Sequence, residues 1–541
     1  MYFCELFKII TSATLYLPYM RHLFCIILLL HSITNFVVSQ TLVTIDDVEN
    51  WTTAELQPYI GQTIQFDNPM YVTNNYNSNQ LIISPRRIYS PTNQAYPMSE
   101  EYNQLLIANA NGTITLTGVS DYHRIGEQLL NLVVKVNSSN KASMISCSWS
   151  GNSRKDLEDG YNQEAISRNG KPNIIVCTMN LEYYLVENLG TGYGPDNNAD
   201  HQKQRSKVSK ALATINADVY GFVEIEQGQS ALAELAADLT QNTGRSYNYI
   251  DDGGSAYGSY TKAGFVYCSE KVVPYGKLRE NNTGVKNRKK TQAFQEIGTG
   301  EIFMLSVNHF KAKSGSGSGD NADKGDGQGK FNGDRVREAQ SVINNYLKDC
   351  VYYNDSDILI MGDLNAYAME DPITLLRENG MIDLHRSFHA DSSYSYVYRG
   401  ELGYLDHALC NGTLYPQITG MVAYHINSDE SDKYTYDKSN DQSMFRCSDH
   451  DPIIVGLRLD STATAAPEII FPEIQLYYSG SHPYIRNAAG GYYILYQLDG
   501  QVVTQKKITT QEEAILGLKQ GLYIINVYGQ GRCLQTKVIV L

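Results

Sequence analysis

The sequence predicts an α/β domain of about 290 residues that lies between two smaller β units. From Asn173 to about residue 460, apolar strand-like runs alternate with amphipathic helical segments. Residues 41–150 instead show short alternating runs separated by turns, which is typical of a small all-β unit, barrel or sandwich. The segment 469–541 returns to this strand-and-turn pattern.

Composition and charge narrow the class of protein. The chain has 541 residues, 42% of them hydrophobic and 19% charged, which indicates a globular protein and excludes wholesale disorder. The net charge of −14 excludes a generally basic surface for nucleic acid, although it leaves open a local basic groove.

The start of the chain predicts export. Arg21 precedes an apolar run, Leu23 to Leu30, and small or modest residues follow before Gln40, so residues 1–39 are interpreted as a signal peptide whose natural start is Met20. The alternative is an N-terminal anchor, but the run is far shorter than the ~20 residues that span a bilayer.

Three domains are expected in the mature chain: a β domain at 41–150, an α/β domain at 171–460 and a C-terminal β domain at 469–541. Polar, Gly-rich residues 150–172 and residues 460–468 are predicted linkers. In the first domain, strands are predicted in the runs IGQTIQF, QLLIAN, GTITLTGV and NLVVKV.

In the α/β domain the apolar periodicity predicts seven strands and four helices. The strands are expected at 173–182, 219–226, 262–269, 301–310, 357–365, 404–410 and 451–459. The helices are expected at 203–216, 229–241, 334–348 and 371–379. A Gly-rich loop from 314 to about 333 is expected to be exposed and functional.

Acidic, amide and imidazole side chains stand at the ends of six of these strands. They are Asn180, Glu224, Asn308 with His309, Asp363 with Asn365, Asp406 with His407, and the run Ser448 to Asp451. Carboxylates that meet without a counter-charge repel, so their clustering calls for a cation. Oxygen ligands without thiolates favour Mg²⁺ or Mn²⁺, with Ca²⁺ as a further option, over zinc. A metal beside two histidines suits hydrolysis of a phosphate ester.

Each motif also has a purely structural interpretation. The run GDLN is compatible with a tight turn, SDHDP with a loop that precedes a strand, and His309 with a buried core histidine. Glu226 competes with Glu224 for the same role. The joint occurrence at strand ends favours function.

Residues 173–460 resemble the endonuclease/exonuclease/phosphatase superfamily, the DNase I-like fold, and within it the secreted bacterial nucleases. The resemblance rests on TMNLE (178–182), VYGFVEIE (219–226), VNHFKAKS (307–314), GDGQGKFNGDRVREAQ (325–340), IMGDLNAY (360–367), YLDHAL (404–409) and CSDHDPI (447–453). It implies a four-layer α/β sandwich.

The resemblance also implies roles for individual residues. Asn180 and Glu224 would ligate the principal metal, with Asp449 nearby. Asp363 and Asn365 would hold the scissile phosphate or a second metal. His450 would be the general base, oriented by Asp406, and His309 would donate to the phosphate or the leaving group.

The densest basic stretch, residues 277–290, is a candidate phosphate contact. Its candidate substrate-binding residues are Lys286, Arg288, Lys289 and Lys290. The alternative is a solvated hairpin.

The flanking domains have weaker likenesses. Residues 41–145 look like an OB-fold module, in which Tyr71, Tyr76 and Tyr89 with Arg86–Arg87 would bind single strands; the alternative is a structural spacer. Residues 470–541 resemble the C-terminal sorting domain of the type IX secretion system, which implies the secretion machinery as a partner and a place outside a bacterial cell or on its outer membrane.

The first hypothesis is a secreted, monomeric, metal-dependent nuclease that hydrolyses phosphodiester bonds of extracellular DNA or RNA. The second is a phosphatase or a sphingomyelinase-like phosphodiesterase on the same fold. The third is an inert, surface-displayed protein that binds nucleic acid.

Overall fold

The computed structural model describes residues 41–540 except 78, 254–259, 281–288, 461–473, 480–481, 487, 489–490, 499–500, 509, 511 and 530–531. The predicted signal peptide and nearly all of the predicted linker 460–468 lie outside the described residues. Within the described part of the chain, no helix is long and apolar enough to cross a membrane.

The strands of the N-terminal and α/β domains follow in chain order. They are β1 Thr41–Val43, β2 Thr63–Phe66, β3 Met70–Asn77, β4 Gln80–Ser84, β5 Ile114–Thr117, β6 Gln128–Ser138, β7 Lys141–Ser150, β8 Ile174–Tyr184, β9 Val219–Glu226, β10 Tyr247–Tyr249, β11 Thr261–Cys268, β12 Val272–Glu280, β13 Lys289–Glu296, β14 Ile302–Asn308, β15 Ile358–Asp363, β16 Ile382–Asp383, β17 Tyr396–Tyr398, β18 Glu401–Gly403, β19 Asp406–Cys410, β20 Ile418–Ala423 and β21 Ile453–Leu457.

The C-terminal strands and the helices complete the list. The strands are β22 Gln475–Ser479, β23 His482–Arg486, β24 Tyr492–Tyr496, β25 Val502–Lys507, β26 Glu512–Ala514, β27 Gly521–Gly529 and β28 Arg532–Val540. The α-helices are α1 Pro91–Gln94, α2 Glu100–Asn111, α3 Asn198–Ile215, α4 Ser230–Thr243, α5 Asn332–Tyr353, α6 Asp371–Glu378 and α7 Leu384–His389.

The N-terminal domain is a small closed barrel. Strands β6, β3, β4, β5 and β7 pair in that order, and the pairing of β6 with β7 closes the ring. The predicted strand QLLIAN is wrong, because these residues lie inside helix α2. The hydroxyl of Ser99 accepts a hydrogen bond from the backbone N–H of Tyr102, and Gly112 ends the helix. A Ser cap followed by two glutamates is a helix-start signal that outweighs the short apolar run.

The α/β domain has the predicted four layers, and the predicted fold class is confirmed. One sheet has the order β10-β11-β9-β8-β21-β20 and the other β12-β13-β14-β15-β19-β16. Alternate residues of each central strand point to opposite faces. Val176 of β8 packs between the two sheets, whereas Cys177 packs under helices α3 and α4. Helices α5 and α6 cover the second sheet through a separate apolar cluster.

The segment 150–172, predicted as a linker, packs along the α/β domain. Ile166 is fully buried against it, and the Arg154 guanidinium pairs with Glu430 at 2.5 Å and with Asp441 at 2.9 Å. The barrel is thereby held close to the α/β domain.

The barrel also extends the small hairpin β17–β18. The backbone N–H of Ser90 donates to the carbonyl of Leu402, and the N–H of Leu402 donates to the carbonyl of Ile88, both at 2.8 Å. The barrel segment 88–90 therefore acts as an added strand beside this hairpin.

The C-terminal domain consists of two sheets, β22-β23-β26 and β25-β24-β27-β28. Ile485 of the first sheet and Leu495, Ile525 and Val527 of the second are buried in one apolar cluster. This arrangement is a small β-sandwich, as predicted.

Candidate active site

A cleft of about 980 Å³ opens at one edge of the two central sheets. Among its lining residues are seven of the predicted site residues: Asn180, Glu224, His309, Asp363, Asn365, Asp449 and His450. The eighth, Asp406, lies directly behind His450. The structure thus brings together side chains that are separated by up to 270 residues, from Asn180 to His450, in the sequence.

Strand direction explains this convergence. Strands β8 and β9 are parallel, as are β14 and β15, so each pair delivers its carboxyl end to one edge. Strands β19 and β21 run antiparallel to these neighbours and begin at the same edge. Asp406 is therefore the first residue of β19, and His450 lies three residues before the start of β21.

His450 and Asp406 form a hydrogen-bonded pair. The Nδ1–H of His450 donates to Asp406 Oδ2 at 2.7 Å, and the Ser395 hydroxyl donates to the same oxygen at 2.7 Å. This bond fixes the tautomer of His450, and the other ring nitrogen, Nε2, faces the cleft. Nε2 lies 4.0 Å from Asp363 Oδ2 and 3.9 Å from Asp449 Oδ2. Burial alone would lower the pKa of His450, but the carboxylates of Asp406, Asp449 and Asp363 raise it well above its ordinary value.

His309 faces two carboxylates. Its Nε2 lies 3.6 Å from Glu224 Oε1 and 3.7 Å from Asp363 Oδ2. Asp363 in turn accepts hydrogen bonds from the Asn180 side-chain amide at 3.1 Å and from the Asn365 backbone N–H at 2.8 Å. Burial raises the pKa of Asp363 to about 7, against the lowering effect of His450.

The backbone at the site is held in conformations that side chains rarely adopt. Glu182, Tyr183, Glu224 and Asn365 all have φ between 49° and 57°. Gly362 has φ of 117°, and a Cβ there would lie 2.2 Å from the carbonyl oxygen of Asn308. Such strain persists where the surroundings overdetermine it, and it is concentrated at functional sites.

The structure separates Glu224 from its competitor Glu226. Glu226 is buried, and its carboxylate accepts hydrogen bonds from the backbone N–H groups of Val186, Glu187 and Asn188 at 2.7–3.1 Å. It therefore holds the loop after β8, whereas Glu224 lines the cleft.

The oxygen atoms of the site fit a hard divalent cation. Glu182, Glu224, Asp363 and Asp449 line one cleft together with the amide of Asn180. Burial, with the charges of Asp449 and Glu224, raises the pKa of Glu182 to about 8, so these carboxyls do not all ionise readily without a cation.

Asp363, Asp406 and His450 also place possible ligand atoms within 4.8 Å of one another. The hydrogen bond from His450 Nδ1 to Asp406 favours a proton-transfer role for that pair over metal ligation. Asn180, Glu224 and Asp449 remain the predicted metal ligands.

Sequence reasoning missed several residues of the cleft. Glu182 stands inside the quoted motif TMNLE, which was a usable signal. No motif surrounds Ser395 or Tyr396, so the sequence carries no signal for either residue. The Ser395 hydroxyl nevertheless donates to Asp406, and the Tyr396 ring lies 4.6 Å from the His450 ring.

The predicted phosphate contacts are corrected in part. Lys289 and Lys290 are only 3% and 1% exposed, so neither is a surface contact for a phosphate backbone. Lys289 Nζ donates to the Glu338 carbonyl at 3.1 Å, and Lys290 pairs with Asp252, which also binds Lys262 at 2.9 Å. A charge run shows that residues are ionisable but not which way they face. Lys286 and Arg288 lie outside the described residues.

The predicted single-strand surface of the barrel is likewise partly occupied. The Arg87 guanidinium donates to the Tyr394 hydroxyl at 2.9 Å, and the Tyr89 hydroxyl donates to the Ser392 carbonyl at 3.3 Å. These side chains join the barrel to the segment before β17, which favours the structural interpretation for both.

Residues 188–450 match the sequence profile of the Endonuclease/Exonuclease/phosphatase family. The α/β domain is therefore similar in sequence to this family over most of its length. Members of this superfamily are hydrolases that act on phosphoester bonds, among them nucleases, phosphodiesterases and phosphatases. The match covers every predicted site residue described above except Asn180.

Solved structures with similar folds each cover 53% of the chain. They include an endonuclease/exonuclease/phosphatase from Bacteroides vulgatus (15% identity, 99% of that chain, TM-score 0.35), D. rerio TDP2 with a single-strand DNA product (13%, 99%, 0.35) and a mannosyl-6-phosphatase from Bacteroides thetaiotaomicron (14%, 100%, 0.34). No curated protein matches the chain.

Proposed function

We propose that this protein is a secreted, divalent-metal-dependent nuclease that hydrolyses phosphodiester bonds of extracellular DNA, with RNA as a second substrate. One observation carries the proposal: the His450–Asp406 pair and the carboxylates of Glu224, Asp363 and Asp449 meet in one open cleft. This arrangement suits the attack of water on a phosphate ester.

The proton-transfer step follows from the geometry of His450. In its neutral form, Nε2 accepts a proton from a water molecule while Nδ1–H stays hydrogen-bonded to Asp406. The Asp406 carboxylate stabilises the imidazolium that forms. The attacking oxygen bonds to phosphorus, and the ester oxygen on the opposite side departs.

The phosphate requires neutralisation and a donor for the departing oxygen. Asn180, Glu224 and Asp449 would hold a divalent cation, which would neutralise charge on the phosphodiester. Asp363 and Asn365 position the scissile phosphate. His309 donates a hydrogen bond to a phosphate oxygen or to the leaving oxygen.

Export and sorting belong to the same proposal. The apolar run Leu23 to Leu30 supports a signal peptide, and the C-terminal β-sandwich supports a sorting domain read by a secretion machinery. Mg²⁺ or Mn²⁺ is the expected cation, with Ca²⁺ as a further option, since the donors are oxygen atoms.

The test is digestion of supercoiled and linear plasmid by the purified protein with Mg²⁺, Mn²⁺, Ca²⁺ or EDTA. We expect nicking and linearisation with at least one cation and none in EDTA. Parallel assays use an RNA transcript, mannose 6-phosphate, inositol phosphates and sphingomyelin vesicles. Hydrolysis of one of the last three with intact nucleic acids would replace the proposal with a phosphatase or phospholipase.

A further inference from the structure

Tyrosine rings from two distant segments line the same cleft. Tyr183 lies at the end of β8 and Tyr193 on the loop that follows, and their rings stack with centroids 4.9 Å apart and planes inclined by 23°. On the hairpin β17–β18, Tyr396 lies against His450 and Tyr398 projects farther out, with the Arg399 guanidinium 5.2 Å from its ring centroid. All of these residues line the cleft.

The outer rings are unusually accessible for residues inside a cleft. Tyr193 is 53% exposed and Tyr398 is 52% exposed. A flat ligand that covers these rings would remove apolar surface from water and gain ring-to-ring contact. Both outer rings lie close to the catalytic groups. Tyr193 stacks on Tyr183, whose backbone N–H donates to Glu224 Oε2 at 3.2 Å, and Tyr398 lies two residues beyond Tyr396 in β17.

Cationic side chains are few in comparison. Apart from the two histidines, the described residues that line the cleft include three cations, namely Lys313, Lys330 and Arg399. Lys313 Nζ is 2.5 Å from Glu370 Oε1, so its charge is already paired. Lys289 and Lys290 are buried. Duplex DNA is bound mainly by neutralisation of its phosphates, for which the described lining residues of the cleft supply few free cations.

We propose that the cleft selects single-stranded nucleic acid by stacking unpaired bases on Tyr193 and Tyr398, next to the phosphate that is cleaved. The inference rests on the proposed nuclease function and names its substrate class. A duplex keeps its base faces stacked on one another, so the two rings cannot use them, whereas an unpaired strand offers every base face.

The test compares kcat/KM for a fluorescent single-stranded DNA oligonucleotide with kcat/KM for its duplex, in the cation that supports activity. We expect the single strand to be cleaved at least about 10-fold faster. Tyr193→Ala and Tyr398→Ala should each lower kcat/KM on the single strand by about 5- to 150-fold, the range that one base stacked on a ring is worth. Activity on the duplex should change little.

Matched variants separate stacking from folding. Tyr193→Phe and Tyr398→Phe keep the rings and should retain activity, and Tyr415→Ala removes a 37% exposed tyrosine that does not line the cleft. The thermal unfolding midpoint of every variant is compared with that of the unaltered protein.

The possible failures are distinguishable. If no nucleic acid is cleaved with any cation, the proposed function itself fails. If the duplex is cleaved as well as or better than the single strand, or if the alanine variants lower both activities equally, only the selection for single strands is overturned. If an alanine variant unfolds, the ratio of kcat/KM on the single strand to kcat/KM on the duplex, measured on the unaltered protein, still tests the selection for single strands.

Discussion

The floor and the wall of the cleft are built in different ways. The floor consists of strand-end residues of the two central sheets: Asn180, Glu224, His309, Asp363 and His450. The wall consists of residues 394–403, the segment of hairpin β17–β18, with barrel segment 88–90 hydrogen-bonded beside it. The floor follows from local strand patterns, whereas the wall is a short hairpin that is hydrogen-bonded to a separate domain.

The two parts meet around Ser395. Ser395 belongs to the wall, and its hydroxyl donates to Asp406, which in turn orients His450 of the floor. The Ser395 oxygen also accepts from the backbone N–H groups of Leu405 and Asp406, at 3.2 and 3.1 Å. The pair His450–Asp406 can be predicted from sequence motifs, but the Ser395 hydroxyl that supports it cannot. Four substitutions test how far floor and wall are separable.

The largest loss of activity is expected from a substitution in the floor of the cleft. His450→Ala removes the proton acceptor and should lower kcat by about 10²–10⁴-fold, the usual contribution of a positioned acid or base. Plasmid nicking rates give the measurement, and Tyr415→Ala is the control. Unchanged activity would show that another group accepts the proton.

Asp406→Asn should change both rate and pH dependence. His450 acts as a base when neutral, so activity rises with pH through its pKa, which Asp406 holds high. Without that charge the pKa falls, and the rising limb of kcat/KM should move to lower pH, while the plateau drops by about 10²-fold because the ring loses its orientation. A pH profile that keeps the limb in place would contradict the assigned pair.

Ser395→Ala tests the link between wall and floor. Loss of a hydrogen bond to a carboxylate costs about 1.5 kcal/mol, so kcat should fall about 10-fold. KM should stay nearly constant, because Ser395 does not line the cleft. Ser395→Thr keeps the hydroxyl and should restore most of the activity; failure of this rescue would point to packing instead.

The smallest effect is expected at the join between barrel and wall. The Tyr394 hydroxyl accepts from Arg87 and donates to Asp429 Oδ2 at 3.0 Å. Tyr394→Phe should lower the free energy of unfolding by about 1–2 kcal/mol and kcat about two- to threefold. Urea denaturation and rate measurements check this against Tyr415→Phe. A loss of activity as large as that of His450→Ala would mean that floor and wall are a single unit.

Much of the fold was accessible from periodicity. Strand β9, predicted at 219–226, is found at Val219–Glu226, and helix α4, predicted at 229–241, is found at Ser230–Thr243. Strand β9 is buried on both faces and reads as a nearly continuous apolar run, whereas helix α4 buries one face and shows helical periodicity. Helix α2 differs from the prediction because a short apolar run is compatible with either structure, and the Ser99 cap favours the helix.

The sequence by itself determined which polar residue types lie at the strand ends, because an apolar run that ends in a polar residue is a local pattern. The tertiary structure alone decided that Lys290 is buried, since its partner Asp252 lies 38 residues away. It alone decided that Ser395 supports Asp406 and that tyrosines from two segments share one cleft. Contacts between distant segments depend on how layers and domains pack, and spacing along one chain does not encode them.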